Sequence, residues 1–103
     1  MTDAEQAYAA VLDGLKSAGQ ILNYWYEPMK LRLAQKTFYT PDFLVMASDY
    51  TLELHEVKGF WQDAAKIKIK VAAEQFDFRF VAVMGKKLPK KDGGGWEWEY
   101  EEF

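Results

Sequence analysis

The chain has no cysteine and a single histidine among its 103 residues. Without cysteine there is no disulfide and no thiolate metal site. One histidine excludes metal clusters built from several imidazoles of one chain, and argues against hydrolases that depend on several. No apolar run approaches the roughly 20 residues of a membrane-spanning helix. No signal-peptide pattern opens the chain, and no repeat or convincing domain boundary interrupts it. The expectation is one cytoplasmic domain over 1–103, away from any membrane. Half of the residues are apolar and 17% are aromatic, which suits a packed core rather than a disordered chain.

Two apolar runs, Phe43-Leu44-Val45-Met46 and Thr51-Leu52-Glu53-Leu54, flank the polar segment Ala47-Ser48-Asp49-Tyr50. Short β-prone runs around a small turn predict a hairpin. A turn centred on Asp49 sets position i opposite position 98 − i, pairing Met46 with Leu52, Leu44 with Leu54 and Asp42 with Glu56. A slip by one residue would send one strand's leucines to water, so the apolar pattern selects this register. Strand faces alternate, so Asp42, Glu56 and Lys58 share the face of the leucines.

Opposed residues have Cβ atoms about 4.5–5.5 Å apart, and two carboxylates so placed resist joint ionisation. A divalent cation removes the conflict. Oxygen-only ligands suit Mg²⁺ or Mn²⁺, which leaves positions for water and a substrate phosphate. A plainer account exists for each part: Pro-Asp commonly starts a turn or strand, and Glu-x-Lys is an ordinary surface pair. The matched register, the shared apolar face and the helix expected next favour a site for metal-assisted phosphodiester hydrolysis.

Pro41-Asp42, then Glu56-Val57-Lys58 on the next strand, then a helix, resembles the PD-(D/E)xK nuclease superfamily. The run from Tyr24 to Lys70, with Tyr-Glu-Pro, Tyr-Thr-Pro-Asp-Phe and His-Glu-Val-Lys-Gly, is similar to small phage proteins related to endonuclease I, a Holliday-junction resolvase. The likeness covers roughly Glu5 to Trp98. It implies a restriction-endonuclease-like core, a phage or prophage origin and 5′-phosphate products. It also implies Mg²⁺ or Mn²⁺ held by Asp42, Glu56 and the Val57 carbonyl, with Lys58 beside the reacting phosphate. In related nucleases an acid on the first helix joins the metal site, and Glu5 matches it. Thr2-Asp3-Ala4-Glu5 equally fits a capping box, in which the glutamate serves the helix start.

In chain order, residues 3–18 predict a helix with Tyr8, Val11, Leu12 and Leu15 inward and Gly19 beyond its end. Strands follow at Ile21–Glu27 and Leu31–Leu33, with a turn at Ala34–Thr37 leading into the strand that carries Asp42. After the hairpin a helix is expected from about Gln62 to Gln75, burying Ala64, Ile67, Val71 and Ala72. A buried strand at 78–84 and an aromatic last strand within the acidic segment 92–103 complete it. The expected fold is α/β, a mixed sheet flanked by helices in the order α-β-β-β-β-α-β-β, with the hairpin at its active edge.

Net charge is −3, yet five of the sixteen acids lie at Asp92, Glu97, Glu99, Glu101 and Glu102, and no base lies beyond Lys91. Residues 1–91 therefore carry thirteen bases against eleven acids, a net of +2. Local patches, not net charge, contact phosphates. The candidates are Lys66, Lys68 and Lys70 on the second helix and Lys86, Lys87, Lys90 and Lys91 in a basic loop. Lys68 either meets a phosphate or snorkels outward along the core. The expected function is a metal-dependent endodeoxyribonuclease acting on branched or duplex DNA. Cutting two strands with one site per chain would require a homodimer. Two other classes compete: a catalytically inactive nuclease fold used for DNA binding or as an accessory subunit, and a structural protein assembling through its aromatic last strand.

Overall fold

A computed structural model describes residues 1–60 and 62–103. Helix α1 (Asp3–Ser17) precedes strands β1 (Ile21–Tyr26), β2 (Leu31–Ala34), β3 (Thr37–Tyr39), β4 (Phe43–Ala47) and β5 (Leu52–Lys58). Helix α2 (Asp63–Gln75) then leads to β6 (Arg79–Lys87), a 3-10 turn at Lys90–Asp92, and β7 (Trp96–Glu102). The fold is a mixed α/β one in the expected order. The stretch around Asp42 is two strands, broken at Thr40-Pro41-Asp42, because Pro41 has no N–H to carry a ladder onward.

The main sheet runs β1-β4-β5-β6-β7, with β5 and β6 parallel and the other neighbours antiparallel. β2 and β3 form a separate two-stranded ribbon. The β4–β5 hairpin is therefore central, and its expected place at an edge is corrected. β1 returns to the free side of β4, and the α2 crossover lays β6 along the free side of β5.

Each face of the sheet buries its own apolar cluster. On one face Tyr8 and Leu12 of α1 pack on Phe43, Val45, Val57, Val81 and Val83. On the other, Ile69 and Ala72 of α2 and Leu31, Leu33 and Tyr39 of the ribbon cover Leu54 and Phe80. α1 begins at the Thr2 cap, and Gly19 takes the left-handed conformation (φ 76°) that ends it. The inward face of α2 is a correction. Ile69 and Ala72 are buried, whereas Ile67 is 61% exposed and Ala64 is exposed.

β6 extends through Lys86 and Lys87, so these two lysines belong to a strand rather than to the expected basic loop. Opposite them, β7 presents its aromatic face to this domain. The Trp98 ring lies over Gly85, where an added Cβ would come within 2.5 Å of it, and its centroid is 5.2 Å from that of Tyr8. Glycine at 85 is thus the residue that admits the indole. Among the described residues no helix is long and apolar enough to cross a membrane.

Candidate active site

Every β4–β5 pair follows the expected register, including Leu44 with Leu54 and Met46 with Leu52. The turn that sets it is held by the Asp49 carboxylate, which accepts the Thr51 N–H at 3.0 Å. Continued past Phe43–His55, the register brings Asp42 opposite Glu56 and Pro41 opposite Val57. In such a ladder the Val57 N–H and C=O would both be exchanged with residue 41. Pro41 has no N–H to offer the carbonyl, and the Val57 N–H donates instead to Asp42 Oδ2 at 2.8 Å. The proline that stops the ladder thereby fixes the Asp42 carboxylate against β5.

Asp42 and Glu56 are 9% and 8% exposed. The Asp42 N–H donates to Glu56 Oε1 at 3.3 Å, and Lys58 Nζ stands 3.6 Å from Glu56 Oε2. Burial, and then the Glu56 charge, push the Asp42 carboxyl up to about 8 despite the Val57 hydrogen bond. Glu56 is also raised by burial, with Lys58 pulling the other way. The two acids are close, desolvated and short of positive charge.

Glu5 reaches the rim of this pair from α1. Its helix is anchored by the one histidine. The Tyr8 hydroxyl donates to His55 Nδ1 at 2.7 Å, and His55 Nε2–H donates to Glu53 Oε1 at 2.9 Å. Glu53 also pairs with Arg79 at 3.0 Å. One turn before Tyr8, the Glu5 carboxylate accepts the Thr2 N–H at 2.9 Å, while the Thr2 hydroxyl accepts the Glu5 N–H at 3.1 Å. The capping box is therefore formed. The same carboxylate accepts the Tyr26 hydroxyl at 3.3 Å. Burial raises its pKa, but hydrogen bonds from Thr2, Asp42 and Tyr26 outweigh this and hold it below the usual range. Cap and proximity to Asp42 coexist. Among the described residues no three carboxylate or imidazole groups converge tightly enough to enclose a metal ion.

The donor set fits a hard divalent cation bound on one side. Two carboxylates and the Val57 carbonyl are all oxygen, and Mg²⁺ commonly takes one or two carboxylates and fills its remaining positions with water and phosphate. An open groove of about 360 Å³ adjoins Glu56, lined also by Tyr39, Thr40, Lys58, Ala65 and Lys68 among others. Lys68 reaches across it from α2, donating to the Phe38 carbonyl at 3.4 Å.

The other lysines lie elsewhere. Lys66 and Lys70 are not among the groove's lining residues, and Lys70 borders a hollow with Phe103. Lys86 and Lys87 line a second groove of about 430 Å³ with Gly59, Met84, Glu97 and Glu99. Lys90 and Lys91 occupy the 3-10 turn. Sequence reasoning missed Tyr39. This side chain is 6% exposed, its hydroxyl has no hydrogen-bond partner among the described residues, and burial and the Glu56 and Asp42 charges raise its pKa. Its place directly before Thr40-Pro41-Asp42 was the available signal. No family model, no curated protein and no solved structure matches the chain.

Proposed function

We propose that this chain is a divalent-metal-dependent endodeoxyribonuclease. The observation that carries the reading is the buried pair Asp42 and Glu56, set side by side by Pro41 and the hairpin register, with Lys58 on the same strand as Glu56. Two desolvated carboxylates held together cost stability unless something positive is meant to join them.

Asp42, Glu56 and the Val57 carbonyl would hold Mg²⁺ or Mn²⁺, which supplies positive charge to polarise a phosphate and lower the pKa of a bound water. Lys58 lines the groove beside Glu56, where its ammonium can orient that water or meet charge developing on the phosphate. Lys68 on the facing wall suits a contact to the DNA backbone, and Lys86 and Lys87 lie beyond Gly59 along the same end of the sheet. Branched or junction DNA is the preferred substrate in this reading, with a homodimer supplying two sites for two strands.

The test is incubation of a labelled four-way junction, beside a linear duplex, with Mg²⁺, Mn²⁺ or EDTA. Metal-dependent cutting that favours the junction is expected. Binding of both DNAs without cutting under any metal would leave the inactive, DNA-binding reading, which the formed capping box at Glu5 favours.

Glu5→Gln separates the two duties of that residue. Glutamine keeps an acceptor for the Thr2 N–H, so stability should change by less than about 0.5 kcal/mol. Cleavage should fall at least about tenfold, a loss of about 1.4 kcal/mol in the barrier. Unchanged cleavage in a plasmid-nicking assay would leave Glu5 a cap and nothing more.

A further inference from the structure

A buried hydroxyl without a partner costs a fold stability, so one retained in a core calls for a reason. Tyr39, at the end of β3, carries such a hydroxyl, without a partner among the described residues. Its ring is held by the cluster of Leu31, Leu33, Ile69 and Ala72, which places it against the α2 face of the sheet. Tyr39 and Glu56 line the same groove, and the Asp42 N–H reaches that same Glu56 carboxylate at 3.3 Å. That carboxylate is sparsely held. One oxygen accepts a long 3.3 Å bond from the Asp42 N–H, and the other lies 3.6 Å from Lys58.

We propose that Tyr39 is the positioning residue for Glu56 when the divalent cation binds, its hydroxyl then donating to one carboxylate oxygen and turning the other toward the ion. The inference rests on the nuclease reading and extends it to a residue outside the Asp-Glu-Lys set. Carboxylates that ligate metals are themselves commonly hydrogen-bonded by outer groups, and removing such a group typically weakens metal binding ten- to a hundredfold. The β2–β3 ribbon thereby has a task. It packs on Ile69, Ala72 and Phe80, and it ends on a tyrosine that lines the same groove as Glu56.

Tyr39→Phe removes one oxygen and keeps the ring. Three measurements on the intact chain decide the matter: metal-free melting temperature, Mn²⁺ affinity by calorimetric titration, and cleavage rate at saturating Mn²⁺. The expected result is an equal or higher metal-free melting temperature, Mn²⁺ binding about tenfold weaker, and slower cutting at saturating metal. If the variant binds Mn²⁺ and cuts like the parent, the positioning role is wrong while the nuclease reading stands. If the metal-free variant melts lower, the hydroxyl serves the fold and the proposal is likewise overturned. If the parent neither binds Mn²⁺ nor cuts, the nuclease reading fails and takes this inference with it.

Discussion

Asp42→Asn is expected to stop cleavage and, in metal-free buffer at pH 8, to make the protein more stable. The two results have one cause. The folded Asp42 carboxyl titrates at about 8, against 3.8 when unhindered, because burial and the Glu56 charge oppose its ionisation. The folded state therefore holds a proton that the unfolded chain releases. Its contribution to stability is complete below about pH 4 and is lost progressively as pH rises through 8. Glu56, also raised, acts in the same direction. Glu5 and Glu53 are lowered and act oppositely, with stability lost as pH falls through the acid range. Metal-free melting temperature should accordingly peak in mildly acidic buffer and decline toward pH 8.

Asparagine keeps an oxygen for the Val57 N–H and removes the charge. The variant should lose most of the alkaline decline, keeping only the part due to Glu56, and gain about 2 kcal/mol at pH 8, or roughly 10 °C in Tm for a domain of this size. Mg²⁺ should restore the parent at pH 8 and leave the variant unmoved. Cutting should fall by at least about a thousandfold, some 4 kcal/mol in the barrier. A variant that melts below the parent at pH 8, or still cuts, would show that the pair is not a strained metal site.

The pairing of Asp42 with Glu56 at the candidate site was legible in the sequence because its geometry follows from period-two patterning. Leu44, Leu54 and the Asp49 turn fix a register in which Asp42 meets Glu56, and no distant contact is needed to set it. What depended on distant contacts was not legible. In Lys66-Ile67-Lys68-Ile69-Lys70 the two isoleucines fall on opposite sides of a helix, and only the position of Phe80 and Leu54 beneath it decides that Ile69 goes inward. The central place of the hairpin required knowing that β1 pairs beyond β4. In the sequence His55 stands out only as the lone histidine and as part of the His-Glu-Val-Lys-Gly string. Its actual task is to tie Tyr8 to Glu53 across two elements, a three-residue network without local spacing to announce it. Tyr39 was hidden for the same reason, since a tyrosine in a strand reads as core until its hydroxyl is seen to lack a partner.

Lys58→Met is the second decisive variant, because it separates metal binding from chemistry. Lys58 stands 3.6 Å from one Glu56 carboxylate oxygen and so would compete with a divalent ion for it. Methionine keeps most of the stem and removes the charge. If Lys58 acts on the phosphate or the attacking water, its loss should lower the cleavage rate at saturating metal by about a hundred- to a thousandfold, the usual effect of deleting one charge-stabilising donor. Divalent affinity, measured by calorimetric titration, should hold or improve, since a like charge has left the site. A lysine that merely neutralises the acids for folding would give the opposite pattern, with cutting little changed at saturating metal and a metal-free protein that melts lower as Glu56 loses its only adjacent cation among the described residues. Loss of rate without loss of metal is the outcome that assigns Lys58 to the reaction itself.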